Sequence, residues 1–282
     1  MTAVTDSMTG TAAGQWAESL ASWAIPQEIL DAAPDPTPWR FAPAVFAWTA
    51  ERAAVEGSVV TASRSRALEA IPEGGTVLDV GAGGGRASIP LSPPAGLVTA
   101  VDSSAELLAA FREAAEREGV PHRTVEGAWP DVAGQVDVAD VVVCHNVFYN
   151  VADLVPFARA LTDHARLRVV VELTVNHPAS NLNDAWRALH GLERPTKPTA
   201  GDAVEVLQEM GLEVAWEESE RRLAPETRDR AEVIAGARQR LCVGPERDTE
   251  IDTLLGDATQ QPLRRILTVW WDGAADGSPV NG

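Results

Sequence analysis

The chain has 282 residues, 45% of them apolar, enough for one large α/β domain with an added piece or for two small domains. Its formal net charge of −18 repels phosphate backbones and argues against nucleic acid as a partner. No run approaches the roughly 20 apolar residues of a membrane span, no basic residue precedes Arg40, and the two cysteines, Cys144 and Cys242, lie far apart, so a cytoplasmic, disulfide-free protein with no metal site and no membrane partner is expected.

Residues 1–14 are small and polar and read as a disordered tail. Residues 15–71 read as a helical N-terminal extension. Trp16, Leu20, Trp23 and Ala24 form a helical stripe, a proline-rich turn runs from Asp31 to Pro38, and Phe41–Val59 and Ser63–Ile71 are two further helical candidates. The short basic clusters Arg64/Arg66 and Arg221/Arg222 read as solvated surface charge.

From residue 72 onward the pattern changes. Short apolar, β-branched runs (TVLDV, LVTAV, HRTVEG, ADVVVC, LRVVVEL) alternate with helical stretches. Such runs belong to a parallel sheet covered on both faces, and the order implies a doubly wound, right-handed α/β fold. Ser104–Glu118 is predicted as a helix capped by Ser103 or Ser104 and ended by Gly119 and Pro121. Asp153–Ala165 is the helix before the fifth strand. Residues 180–190 and 201–210 are helical candidates, followed by a strand at Leu212–Glu217. Helices are expected at Glu226–Arg240 and Asp248–Leu255, and a last strand at Arg265–Trp271.

The first of these strands carries the chemistry. In Val77-Leu78-Asp79-Val80-Gly81-Ala82-Gly83-Gly84-Gly85-Arg86 a strand runs into a glycine loop that is expected to open a helix. Glycines there let a ligand approach the backbone. The absence of Gly-Lys-Ser/Thr excludes a P-loop. Arg86 stands where the dinucleotide pattern wants its third glycine, which disfavours an NAD-dependent oxidoreductase. Asp102 ends the next strand, where an acidic side chain accepts ribose hydroxyls.

VLDVGAGGG followed by VTAVDSS resembles the first two motifs of the class I S-adenosylmethionine-dependent methyltransferases. The resemblance implies a Rossmann-like, doubly wound, seven-stranded and mostly parallel sheet over residues 72–282. It makes S-adenosyl-L-methionine the cofactor. Gly81, Ala82, Gly83 and Gly85 then approach its methionine part and ribose. Asp79 orients the loop or faces the amino group, and Asp102 with Ser103 serves the ribose. The third motif departs from the family: Val125-Glu126-Gly127-Ala128-Trp129 has Ala128 where an aspartate would meet the adenine. That leaves Gly127 and Ala128 to act through their backbone, with Trp129 packing on the ring or in the core.

The fourth motif, Cys144-His145-Asn146-Val147-Phe148-Tyr149-Asn150, falls at a strand end facing the sulfonium methyl. His145 and Asn146 are cofactor contacts there, and His145, Tyr149 and, from the loop after strand five, His177 are the catalytic candidates. Glu172 reads as a buried carboxylate or a partner for a cationic substrate. The resemblance also places the N-terminal extension, with Trp16, Trp23, Trp39, Phe41, Phe46 and Trp48, over the strand ends as part of an acceptor pocket. Helical insertions at about 175–211 and 222–260 would extend that lid or form a homodimer surface. The expected activity is methyl transfer to a small or medium-sized organic molecule, with a non-catalytic cofactor-binding protein as the alternative.

Overall fold

The computed structural model describes residues 10–35, 38, 48–49, 59–221, 230–256 and 263–274. Helix α1, Ala12–Ala21, is capped by the Thr11 side chain, and α2 spans Gln27–Ala32. The first helix therefore begins inside the stretch expected to be a tail, because Thr11 supplies the cap and Trp16 is completely buried. Residues 1–9 and the Phe41–Val59 helix candidate, Trp48, Thr49 and Val59 apart, lie outside the described residues, as does Trp39. Helix α3 covers Ala62–Leu68.

The alternating strands and helices follow: β1 Thr76–Val80, β2 Leu97–Asp102, α4 Ala105–Arg117, β3 His122–Glu126, β4 Ala139–His145, α5 Leu154–Asp163 and β5 Ala165–Thr174. Helix α4 is capped by Ser104 and buries Leu108, Phe111, Ala114 and Ala115. Then come α6 Asn183–His190, α7 Ala200–Glu209, β6 Ala215–Arg221, α8 Arg230–Arg240, α9 Asp248–Leu255 and β7 Arg264–Asp272. Strand β6 starts later than expected, because Gly211 ends α7 at φ +82° and Leu212 and Val214 are spent on the turn, packed against the core.

The sheet has seven strands in the order β3-β2-β1-β4-β5-β7-β6. Its first five strands run parallel, and β7 is antiparallel to both β5 and β6. The expected architecture is thus present, with helices on both faces. On one face Leu78, Val80, Val142 and Val171 pack with Phe157, Leu207 and Trp16. On the other, Val77, Ala100, Val141 and Val170 pack with Ala67 and Phe111. A satellite core of Ile25, Leu182, Trp186, Leu241 and Ile251 joins α2, α6, α8 and α9. No helix among the described residues is long and apolar enough to cross a membrane.

One local expectation is overturned. The glycine loop opens no α-helix: Ile89–Leu91 is a single 3₁₀ turn. Pro90, Pro93 and Pro94 lack the amide protons that a helix needs.

Candidate functional site

The chain leaves β1, fills the edge through β2 and β3, and returns to β4 on the other side of β1. The carboxyl ends of β1 and β4 thus flank the switch in strand order, where open α/β sheets bind ligands. The glycine loop stands there. Gly81, Gly83 and Gly85 all have positive φ, at 72°, 52° and 89°. A Cβ on Gly81 would lie 2.3 Å from the Val147 side chain, and one on Gly85 2.3 Å from Ile89. Only glycine satisfies both the turn and the close approach. The Gly81 and Ala82 amides donate to the Val101 carbonyl, which pins the loop to the end of β2.

Asp102 completes this edge. One carboxylate oxygen accepts from the Gly83 amide at 2.9 Å, the other from the Ser104 amide at 2.9 Å. Each oxygen keeps a lone pair for a further donor, and the side chain is half-buried. Ser103 beside it is exposed. Gly127 donates to the Asp102 carbonyl at 3.0 Å, so the β3 end adjoins the same edge, with Ala128 exposed.

Asp79 lies beneath the loop with no exposed surface. One oxygen accepts from the Ser88 hydroxyl at 2.5 Å. The other is buried with no partner among the described residues. Burial pushes its pKa up to about 7; the Ser88 hydrogen bond opposes this and Asp102 adds to it. The folded chain therefore holds a proton that the unfolded chain loses near 3.8. The stability from this group is present below that value and lost as pH rises toward 7. Asp79→Asn is expected to gain stability relative to wild type between pH 5 and pH 8, measured by urea unfolding. An equal difference at both pH values would contradict the assignment.

His145 ends β4, half-buried, beside Glu172 of β5 in the strand register. Its Nε2 is buried with no partner among the described residues. Burial holds the imidazole below its ordinary range; Glu172 opposes this, while Arg221 and Arg86 press the same way. Asn146 follows in left-handed backbone, φ 59°, and is exposed.

Three expected site residues have partners within the fold. The Tyr149 hydroxyl donates to the Thr174 carbonyl at 2.8 Å, the ring stacks on Trp16, and burial drives the phenol far above its ordinary value. Its hydroxyl is engaged as a donor within the fold. The His177 ring stacks on Trp23 with centroids 3.9 Å apart, and its Nδ1 accepts from the Ala179 amide. Burial first, then Arg194, lowers its pKa to about 4. The Trp129 ring lies in the core, edge-on to His164, and its Nε1 donates to the Phe157 carbonyl, which is the core placement of the two expectations.

Glu172 is the buried carboxylate of the two expectations, with partners no local pattern announces. The Ser63 hydroxyl donates to it at 2.6 Å and Arg221 at 2.7 Å, across 109 and 49 residues. Arg221 is thus an ion-pair partner rather than solvated charge. Arg66 pairs with Glu217 at 2.9 Å and lies over the Trp270 ring.

Fold and strand-end site together define a Rossmann-like α/β protein with its ligand edge at the ends of β1, β2 and β4. Residues 77–167 match a family model described as methyltransferase domain, in agreement with the class I S-adenosylmethionine-dependent methyltransferase expected from the sequence. A search of curated proteins by sequence returns no match. Among solved structures, the YcgJ protein of Bacillus subtilis is similar at 15% identity, over 75% of this chain and 97% of that one, with a TM-score of 0.52. The magnesium protoporphyrin IX methyltransferase of Synechocystis, solved with bound SAH, is 17% identical over 70% and 73% of the two chains, TM-score 0.44. A precorrin-6y C5,15-methyltransferase of Geobacter metallireducens is 15% identical over 80% and 90%, TM-score 0.44.

The site's residues fit the cofactor. The orphaned Asp79 oxygen under the loop suits a cationic amino group. The glycines leave room that a Cβ would fill, and Asp102 has acceptor capacity left for ribose hydroxyls.

Proposed function

We propose that this chain moves a methyl group from S-adenosylmethionine to a small or medium-sized organic acceptor by in-line displacement. The observation that supports it best is Asp102, its two oxygens set at the lip of a glycine loop in left-handed backbone. When bound, the cofactor supplies an electrophilic methyl carbon on a sulfonium. Gly81, Ala82, Gly83 and Gly85 would line its methionine part and ribose, with Asp79 toward the amino group. Asp102 and Ser103 would hold the ribose hydroxyls, and the backbones of Gly127 and Ala128 would face the adenine. His145 and Asn146 would border the methyl. A displacement of this kind needs chiefly alignment and exclusion of water. Where the acceptor must lose a proton, the neutral His145 imidazole would take it.

Residues 15–71 and the insertions at about 175–211 and 222–260 would shape the acceptor pocket, with a homodimer surface as a second role for the insertions. Transfer of labelled methyl across a panel of organic acceptors tests the activity. Turnover is expected, lowered about 10²–10⁴-fold in His145→Asn where a base is used. A second reading, a non-catalytic binding protein, draws on the commitment of Tyr149 and His177 to partners within the fold. Cofactor binding without turnover over the whole panel would favour it.

A further inference from the structure

Glu172 is 3% exposed and carries three separate elements. One carboxylate oxygen accepts from Ser63 of α3, the other from Arg221 at the end of β6. Its main-chain carbonyl accepts from the Asn146 amide at 2.7 Å, the step at which the chain leaves β4 in left-handed backbone. Side by side with it in the parallel register stands His145. On the other flank, Thr268 of β7 has no exposed surface, and its hydroxyl has no partner among the described residues. A row thus runs across three strands from half-buried His145 to buried Glu172 and Thr268.

We infer that Glu172 is a positioning residue for the acceptor end, joining α3 and the end of β6 to His145 and fixing the imidazole at the tip of β4. A buried carboxylate is costly unless it is paired and hydrogen-bonded. Here both oxygens are satisfied by groups that arrive from opposite ends of the chain. Its pKa is held below the ordinary carboxylate range: burial, the largest influence, raises it, and His145, Arg221 and Ser63 together outweigh that. The charged groups whose fields reach His145 are Glu172 of β5, Arg221 of β6 and Arg86 after the glycine loop. Glu172 alone favours the protonated imidazole, so it keeps the titration of His145 from falling further.

This inference rests on the strand-end site proposed above, and the test separates the two. The imidazole of His145 is titrated by proton NMR in the full-length protein, its resonance assigned from the His145→Asn spectrum. Glu172→Gln is expected to lower the His145 pKa by about 1, and Arg221→Gln to raise it. A purely structural role would not give opposite signs. S-adenosylhomocysteine should still bind both variants, because among the described residues the Glu172 and Arg221 side chains bond Ser63 and each other rather than the glycine loop or Asp102. If Glu172→Gln fails to fold, as read by circular dichroism, the rise in Arg221→Gln decides. An unmoved titration in protein that still binds S-adenosylhomocysteine overturns the inference. Absence of binding in the wild type overturns the cofactor site instead.

Discussion

Asp102→Ala is expected to weaken binding of S-adenosylhomocysteine about 100-fold, with the fold intact. Hydrogen bonds to a charged group contribute roughly 1.5–3 kcal/mol each. Losing two ribose hydroxyl contacts at the low end of that range removes about 3 kcal/mol, or about two decades of affinity. The carboxylate also holds the Gly83 amide, so part of the loss is loop order. Asp102→Asn separates the two effects, because it keeps the size and one acceptor oxygen; it should fall between wild type and alanine. Calorimetric titration of the three proteins checks this. Equal affinity for wild type and Asp102→Ala would mean that the ribose lies elsewhere.

Much of this edge of the molecule was legible in the sequence. Strands β1, β2, β4 and β5 announce themselves as largely apolar, β-branched runs, because burial on both faces removes the polar alternation, whereas the edge strand β3, HRTVE, has no buried residue. Asp79, Gly81, Gly83 and Asp102 fall together because short-range chain geometry puts a strand, a tight turn and the next strand end in one place. What lay hidden depends on distant partners. Nothing near Tyr149 says that its hydroxyl meets the Thr174 carbonyl, or that Trp23 covers His177. Trp129 could pack on a ligand or in the core, and only α5 decides between them. The helix expected after the glycine loop failed for a local reason: the prolines at 90, 93 and 94 outweigh the family pattern. Glu172 was visible as a buried carboxylate, but its Ser63 and Arg221 partners lie 109 and 49 residues away, beyond the reach of any local pattern.

Trp16→Ala should carry the largest loss of stability. The ring is completely buried, its Nε1 donates to the Val151 carbonyl at 2.8 Å, and it stacks on Tyr149. Removing a buried tryptophan costs about 3–5 kcal/mol, and the Val151 carbonyl would be left without its donor. At roughly 2–4 °C per kcal/mol for a protein somewhat smaller than this, the melting temperature should fall by about 10 °C. A loss below about 1 kcal/mol in thermal or urea unfolding would mean that α1 is an appendage. The larger loss would make it part of the core that supports the β4 loop, since Trp16 bears on Tyr149 and Val151 together.

The central claim is that the glycine loop and Asp102 form an S-adenosylmethionine site. Calorimetric titration of the full chain with S-adenosylhomocysteine tests it most directly. Saturable binding of one ligand per chain, weakened by Asp102→Ala, is the predicted result. No heat of binding at millimolar ligand would contradict it.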